Sequence, residues 1–182
     1  MVSYVAGEEW TDHPECACPI LTLYAIKLND NFDRKQRQKL KPIIPLLVDT
    51  QSDDALRIKR KKFFMFRNVT ATYPLLLDLV KLPDLAEKLR SFKNNAESMT
   101  LAAIFLNENK GSILKAADAC ADAYVYVYAD AYAYADADAD VYVYTDVYAD
   151  VYVYADADAD GAYREKVADV CIETLRMACE IT

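Results

Sequence analysis

The sequence has few of the residues from which most enzyme sites are built. It contains a single histidine, His13, and only three glycines, Gly7, Gly111 and Gly161. A glycine-rich phosphate loop and a G-x-S-x-G nucleophile elbow both need closely spaced glycines, and neither motif occurs. These absences predict a protein that is not an enzyme.

Long apolar runs and an N-terminal signal are also missing. No stretch approaches the roughly 20 apolar residues that a membrane-spanning helix needs. The opening MVSYVAGEEW has no basic region and no apolar run before its acidic residues. An odd number of cysteines, five, in a chain without a secretory signal favours reduced thiols. We therefore expect a cytoplasmic protein without a membrane span.

Residues 121–160 form the most regular segment of the chain, and this segment lacks glycine and proline altogether. Every odd position is Ala, Val or Thr, and every even position is Asp or Tyr. A period of two residues is the period of a β-strand, in which successive side chains point to opposite faces. One face would carry Ala, Val and Thr, and the other would carry Tyr and Asp. In a helix the same period would spread Tyr and Val around the whole cylinder.

The repeat, as we call residues 121–160, is therefore predicted to form an extended β-hairpin. Its strands would lie at about 124–134 and 141–154, joined by the Asp-rich link 135–140. A continuous long helix and a disordered segment are the alternatives. The two halves of the repeat also echo one another, so a slippage expansion tolerated between helices would explain the pattern without a function.

The rest of the chain predicts a mainly α-helical fold, because its apolar residues recur at helical spacing. We predict a helical bundle formed by about residues 19–120 and 162–181, with the repeat as an insert. In domain terms, residues 1–120 would be a helical domain with an N-terminal Cys/His arm. Residues 161–182 would be a C-terminal helix that packs on this domain.

Local signals predict several helix ends. Pro19 is typical of the first turn of a helix. Asp33 and Gln36 have the spacing of a capping box. A later helix should begin after Asn94 or Asn95 and end at Gly111, with Ser112 capping a new helix that leads into the repeat.

The N-terminal arm, GEEWTDHPECACPI, contains three ligands of the kind that bind zinc. His13, Cys16 and Cys18 lie within six residues. Imidazole and thiolate groups are the usual ligands of structural zinc, so these residues are a candidate zinc site. The candidates for a fourth ligand are Cys120, Cys171 and Cys179. The alternative is structural: Cys18 would be the N-cap of the first long helix and Cys16 a small buried hydrophobe.

Three segments resemble a group of uncharacterised bacterial proteins. They are EEW-x-x-HPECACPI, RQKLKPIIPLLVDT and CIETLRMACEI. The group shares an HP-x-C-x-CP arm, an RQ-x-L-x-P-x-I-P-x-L segment and a long Ala-rich tail that contains Asp and Tyr. The resemblance implies no activity, substrate or cofactor, because none is known for the group. Similar tails look helical, whereas the strict alternation here favours strands.

The segment 34–67 is strongly basic. It has eleven Lys and Arg residues against three acidic ones, a net charge of +8. Its basic run beside three phenylalanines could bind nucleic acid or an anionic membrane surface, and the alternative is a solvated rim beside a core. The chain's net charge of -8 opposes steering towards phosphate, which argues against nucleic acid. The candidate contact residues are Arg57, Lys59, Arg60, Lys61 and Lys62.

Together these features predict an interaction or assembly protein of unknown process that needs no cofactor, unless the candidate zinc site is occupied. The repeat carries ten Asp and no basic residue, so its tyrosines and carboxylates would contact a basic protein partner or the basic segment of a second copy. The alternative functions are a metal-binding or redox-responsive regulator acting through the arm, and nucleic-acid binding through the basic run. The candidate contact tyrosines are Tyr126, Tyr128, Tyr142, Tyr144, Tyr152 and Tyr154.

Overall fold

Helices make up most of the chain that the structure describes. The structure is a computed structural model that describes residues 2–7, 9, 11, 14–119, 123–126, 131–134, 142–145, 152–155 and 161–182. The predicted fold class, mainly α, is confirmed. The helices are α1 (Val2–Ala6), α2 (Pro19–Asn31), α3 (Arg34–Gln38), α4 (Ile44–Leu47), α5 (Asp54–Arg67), α6 (Tyr73–Leu79), α7 (Pro83–Arg90), α8 (Ala96–Ala119) and α9 (Gly161–Cys179), with a 3-10 turn at Lys41–Ile43 and a π-helical turn at Asn68–Thr72. None of the helices in the described residues is both long and apolar enough to cross a membrane.

The chain divides into two compact units. The first unit comprises Met1–Arg67 together with Arg164–Thr182, and the second comprises Asn68–Tyr163. Most of α9 therefore belongs to the same unit as α1 to α5. The boundary between the units falls where α5 gives way to the π-helical turn, inside the range that the sequence predicts as one helical domain.

The first unit has a core that draws on α2, α5 and α9. Pro19 lies in the first turn of α2. Backbone N–H groups there have no acceptor within the helix, so the missing N–H of proline costs no helical hydrogen bond. Leu21, Tyr24 and Leu28 follow at helical spacing and are buried. The ring of Tyr24 stacks on that of Phe64 from α5, with the ring centroids 4.3 Å apart. The buried residues that α9 adds to this cluster are Ala168, Cys171, Leu175 and Ala178.

A capping box opens α3, as the sequence predicts. The Asp33 carboxylate accepts hydrogen bonds from the N–H groups of Lys35 at 2.7 Å and Gln36 at 2.8 Å. The Gln36 side-chain oxygen accepts one in return from the Asp33 N–H at 3.1 Å. The Gln36 amide group also donates to the Arg164 carbonyl at 3.3 Å, so the cap is joined to α9.

Replacing Asp33 by alanine is expected to lower the free energy of unfolding by about 1 kcal/mol, because two helix N–H groups lose their acceptor. Asp33→Asn keeps an acceptor at the same place and should lose only a few tenths of that amount. Urea denaturation followed by far-UV circular dichroism measures both variants. Equal losses in the two variants would show that the capping oxygen has no part in the effect.

The second unit has a core built by α6, α7 and α8. The helices α6 and α7 are both short, and Pro83 is the first residue of α7. Leu77 and Leu89 have no exposed surface, and Leu76 is nearly as buried. Ile113 of α8 lies in the same cluster. The second unit therefore has an apolar core separate from that of the first.

The predicted helix end at Gly111 is wrong. The helix α8 runs without a break from Ala96 to Ala119, so Ser112 caps no new helix. Glycine in a helix interior costs about 1 kcal/mol relative to alanine, but Ile113, two residues further on, is buried in the core, and this burial offsets the cost. The predicted start is confirmed, since the Asn95 side chain accepts from the Ser98 N–H at 2.8 Å.

Short strands lie within the repeat. The strand β1 (Ala123–Tyr126) pairs antiparallel with β4 (Tyr152–Ala155). The strand β2 (Ala131–Tyr134) pairs antiparallel with β3 (Tyr142–Thr145). The residues that connect these strands lie outside the described part of the chain. One continuous hairpin over the whole repeat therefore stays a prediction.

Candidate functional site

Cys18 lies at the point where the N-terminal arm enters the core of the first unit. It is the N-cap residue of α2, as the structural alternative to the zinc site predicts, and has no exposed surface. Its N–H donates to Thr50 Oγ1 at 3.0 Å, and the Thr50 hydroxyl donates to the Leu47 carbonyl at 2.6 Å. The Gln51 N–H donates to the Cys16 carbonyl at 3.0 Å. These bonds fix the arm against the loop between α4 and α5.

The guanidinium of Arg60 is buried in the same region. Arg60 lies on α5 and is 3% exposed. Its Nη1 donates to the Thr50 carbonyl at 2.7 Å and to the Ser52 hydroxyl at 3.2 Å, and its Nη2 donates to the Ile181 carbonyl at 3.0 Å. Its Nε–H has no acceptor within the part of the chain that is described. One side chain thus joins the loop that holds Cys18 to the segment that follows α9.

The surroundings of Cys18 favour its thiolate form. Burial by itself would raise the pKa of the Cys18 thiol, but hydrogen-bond donors outweigh burial and bring the pKa below its ordinary value. The groups that lower this pKa are the Ser52 side chain, the Leu21 N–H, the Arg60 side chain and the Ile20 N–H.

A second thiol, that of Cys179, lies near the same guanidinium. Cys179 is the last residue of α9 and packs, half-buried, against the core cluster that contains Cys18. Burial raises the pKa of Cys179 to about 11; Arg60 acts in the opposite sense, and Glu180 and Cys18 add to the rise. The two thiols are therefore unequal: Cys18 ionises more readily than an ordinary cysteine, and Cys179 stays protonated.

The predicted zinc site at His13, Cys16 and Cys18 stays a prediction. His13 lies outside the described residues, as does Cys120, one of the possible fourth ligands. Among the residues that are described, no three His, Cys, Asp or Glu side chains are grouped as a metal site. Of the other possible fourth ligands, Cys171 is buried in the core cluster that contains Cys18, and Cys179 packs against that cluster.

The basic residues of α5 do not form one exposed surface. Arg60 is buried, so the prediction that it belongs to a solvated rim is wrong. Its guanidinium donates hydrogen bonds to internal carbonyl and hydroxyl groups. Arg57 pairs with an aspartate of the same helix at 3.3 Å, and Lys59 donates to a backbone carbonyl at 2.9 Å. Lys61 is half-buried and Lys62 is exposed.

Two other lysines of the basic segment contact the beginning of α9. The Lys35 ammonium lies 2.9 Å from a Glu165 carboxylate oxygen, and the Lys39 ammonium contacts both Glu165 and Asp169. Hydrogen bonds to Asp169 and Glu165 raise the pKa of Lys39, and those from Lys39 and Lys35 lower the pKa of Glu165. Exposed pairs of this kind stabilise a fold only slightly and are screened by salt. Lys35 and Lys39 belong to the basic segment that is predicted as a possible partner of the repeat. Both thus pair with α9, the helix that follows the repeat.

The strands of the repeat set tyrosine positions opposite one another. Tyr124 is the register partner of Tyr154, and Tyr126 is that of Tyr152. In the other ladder the pairs are Tyr132 with Tyr144 and Tyr134 with Tyr142. Tyr128, which the sequence also predicts as a contact residue, lies outside the described residues.

Sequence reasoning missed the role of Arg60 and the packing of Cys179 against the cluster that contains Cys18. A signal for Arg60 was present, because residues four apart share a helix face and Arg60 precedes the buried Phe64 by four positions. The surrounding run of lysines concealed this signal. No local pattern connects Cys179 with Cys18, since their approach depends on how distant segments pack.

Comparison of the chain with protein-family profiles, with curated proteins and with solved structures found no match.

Proposed function

We propose that this chain is a non-enzymatic interaction protein whose repeat forms an extended β-hairpin and serves as the contact surface. The observation that supports the proposal is the register of the four strands, in which tyrosines stand opposite tyrosines and small residues opposite small residues. A continuation of this register would give one face of Tyr and Asp and one face of Ala, Val and Thr. Such a two-sided ribbon suits binding better than catalysis.

The charge of the repeat favours a basic partner. Its ten aspartates have no cation among them in the sequence. Two copies of the repeat would repel each other, so self-association through strand edges should strengthen when salt screens the charges. Binding to a basic protein should instead weaken with salt. We commit to the basic protein, because Lys35, Lys39 and Arg60 of the same chain already have internal partners.

Replacing the ten repeat aspartates by asparagine is expected to weaken binding to a basic probe by about tenfold or more, because the charge that attracts the probe is removed. Fluorescently labelled oligolysine is the probe, and its binding to the full chain is followed by anisotropy across a salt titration. The matched control changes an equal number of exposed acidic side chains outside the repeat to amides, which gives the same net charge with the repeat intact.

The two variants have the same net charge, so a difference in their affinity for oligolysine reports where the negative charge is needed. If the control variant loses as much affinity as the repeat variant, the acidic repeat is not the contact surface. Sedimentation velocity of the same proteins separates the two kinds of partner. Assembly of the wild-type chain that grows with salt would favour a second copy over a basic protein.

The competing proposal is a metal-binding regulator that acts through His13, Cys16 and Cys18. Metal analysis of freshly purified protein separates it from the first proposal. One equivalent of zinc that is lost in the Cys16→Ser variant would favour the regulator, since thiolate is a zinc ligand. Nucleic-acid binding through α5 is the third proposal, and the burial of Arg60 and the pairing of Arg57 count against it.

A further inference from the structure

The helix α8 of the second unit buries one face and leaves the opposite face to solvent. Ala102 and Ile113 lie on the buried face. On the other face, Leu101 is 51% exposed and Ile104 is 49% exposed. These two large apolar side chains lie one helical turn apart, so a partner that covered both would gain from their burial.

The exposed apolar pair belongs to a longer row of exposed positions. Residues spaced alternately four and three positions apart share one face of a helix, and this is the spacing by which two helices pair in a coiled coil. Every α8 position of this spacing from Glu97 to Lys115 is exposed. We call these six positions the α8 seam: Glu97, Leu101, Ile104, Glu108, Gly111 and Lys115.

We propose that α8 pairs antiparallel with α8 of a second copy of this chain, with the α8 seam as the interface. A twofold axis makes such an interface self-complementary, because each residue of one helix then faces a fixed partner on the other and the same pair occurs twice. We place the axis level with residue 106. The facing pairs are then Glu97 with Lys115, Leu101 with Gly111, and Ile104 with Glu108.

Charge favours this register over the alternatives. The Glu97 carboxylate faces the Lys115 ammonium of the other copy, and symmetry repeats this attractive pair at the far end of the interface. A parallel pair would place each carboxylate of the seam opposite the same carboxylate of the second copy. An antiparallel pair centred on the two apolar residues would place Glu97 opposite Glu108. Both alternatives bring like charges together, which is unfavourable.

Gly111 provides space for the facing leucine. Glycine is disfavoured in a helix interior, and a methyl group placed at Gly111 would meet no heavy atom within 4 Å beyond its own stretch of helix. The packing of the chain on itself therefore does not require glycine at this position. In the proposed pair, Gly111 leaves a gap between the helices that the Leu101 side chain of the second copy fills.

The interface is small. Ile104 faces Glu108, whose carboxylate stays hydrated at the edge, so the apolar contact comes mainly from Leu101 and Ile104 of each copy. A single helix pair lies at the small end of specific interfaces. The dimer should therefore be weak and reversible, and should form as the protein concentration rises.

Sedimentation velocity of the full chain, from micromolar to millimolar concentration, should show a monomer in exchange with a dimer. Glu97→Lys and Lys115→Glu should each weaken the dimer by about tenfold, because each change makes both attractive pairs repulsive. The two changes together should restore the wild-type association constant, since they exchange the partners within each pair. Lys110→Glu is the matched control: it makes the same charge change at an exposed position of α8 outside the seam, and association should stay within about twofold of the wild type.

Leu101→Asp separates this interface from the repeat. It should abolish the dimer, because a charge replaces the leucine that fills the gap at Gly111, and it should leave oligolysine binding and the circular dichroism spectrum unchanged. A wild-type chain that stays monomeric over the whole range would overturn the proposal. So would a tighter dimer of Glu97→Lys, which would indicate that Glu97 faces a carboxylate. Association that survives Leu101→Asp would also overturn it.

This inference goes beyond the proposed function, because the α8 seam lies outside the repeat. Its measurements can fail while the repeat still binds a basic partner. Conversely, the repeat can fail to bind oligolysine while α8 still pairs with a second copy.

Discussion

Replacing Phe64 by alanine is expected to lower the free energy of unfolding of the first unit by about 4 kcal/mol. Phe64 is 1% exposed, and its ring stacks on that of Tyr24. Truncation removes a buried ring and leaves a cavity between α2 and α5, and both effects destabilise the core. Because the chain has two units, hydrogen exchange of the α2 amides is the appropriate measurement, as it reports on the first unit by itself.

Two further variants test whether burial is the cause. Phe64→Leu keeps most of the apolar volume and should cost about 1 kcal/mol. Leu23→Ala changes a side chain of α2 that is 45% exposed and should cost no more than about 0.5 kcal/mol. If Phe64→Ala were no more damaging than Leu23→Ala, the core as described would be incorrect.

The parts of the fold that depend on neighbouring residues follow from the sequence. The capping box at Asp33 and the helix start at Pro19 were predicted from spacings of a few residues. Each depends on hydrogen bonds within one turn, which a short pattern is enough to specify. The start of α8 after Asn95 is likewise a local feature, because the Asn95 side chain accepts a hydrogen bond from the Ser98 N–H.

The prediction failed where a distant contact outweighed a local preference. Glycine is disfavoured in a helix interior, but α8 continues through Gly111 because Ile113 is buried in the core of the second unit. Arg60 is charged and lies in a run of lysines, yet it is buried because carbonyls of Thr50 and Ile181 accept its hydrogen bonds. The core around Ile113 and the carbonyls that accept from Arg60 belong to other segments, so the residues next to Gly111 and Arg60 do not identify these partners.

The candidate thiol site, like the fold, could be predicted from the sequence only in part. Cys18 could be found from the sequence as the residue before Pro19, and its place at the start of α2 is confirmed. The groups outside α2 that lower its pKa are Ser52 and Arg60, which belong to other segments. A sequence pattern can therefore propose a reactive residue, whereas the groups that tune its reactivity depend on tertiary packing.

Replacing Arg60 by methionine should lower the free energy of unfolding by about 3 kcal/mol. Methionine fills much of the same volume but donates no hydrogen bond, so the carbonyls of Thr50 and Ile181 lose the donors that they have at 2.7 and 3.0 Å. A buried polar group left without a partner costs about 1–3 kcal/mol. Hydrogen exchange of the α5 amides measures the loss, as for Phe64.

The opposing effect is the removal of a buried charge, which can stabilise a protein when both members of an ion pair become apolar. That gain does not apply here in full, because the backbone carbonyls that accept from Arg60 remain polar after the substitution. Arg60→Lys keeps the charge but reaches fewer acceptors, and should lose about half as much as Arg60→Met. Lys62→Met changes an exposed cation of the same helix and should stay within about 0.5 kcal/mol of the wild type. A methionine at position 60 that left stability unchanged would mean that the arm and the end of α9 are held together by apolar packing alone.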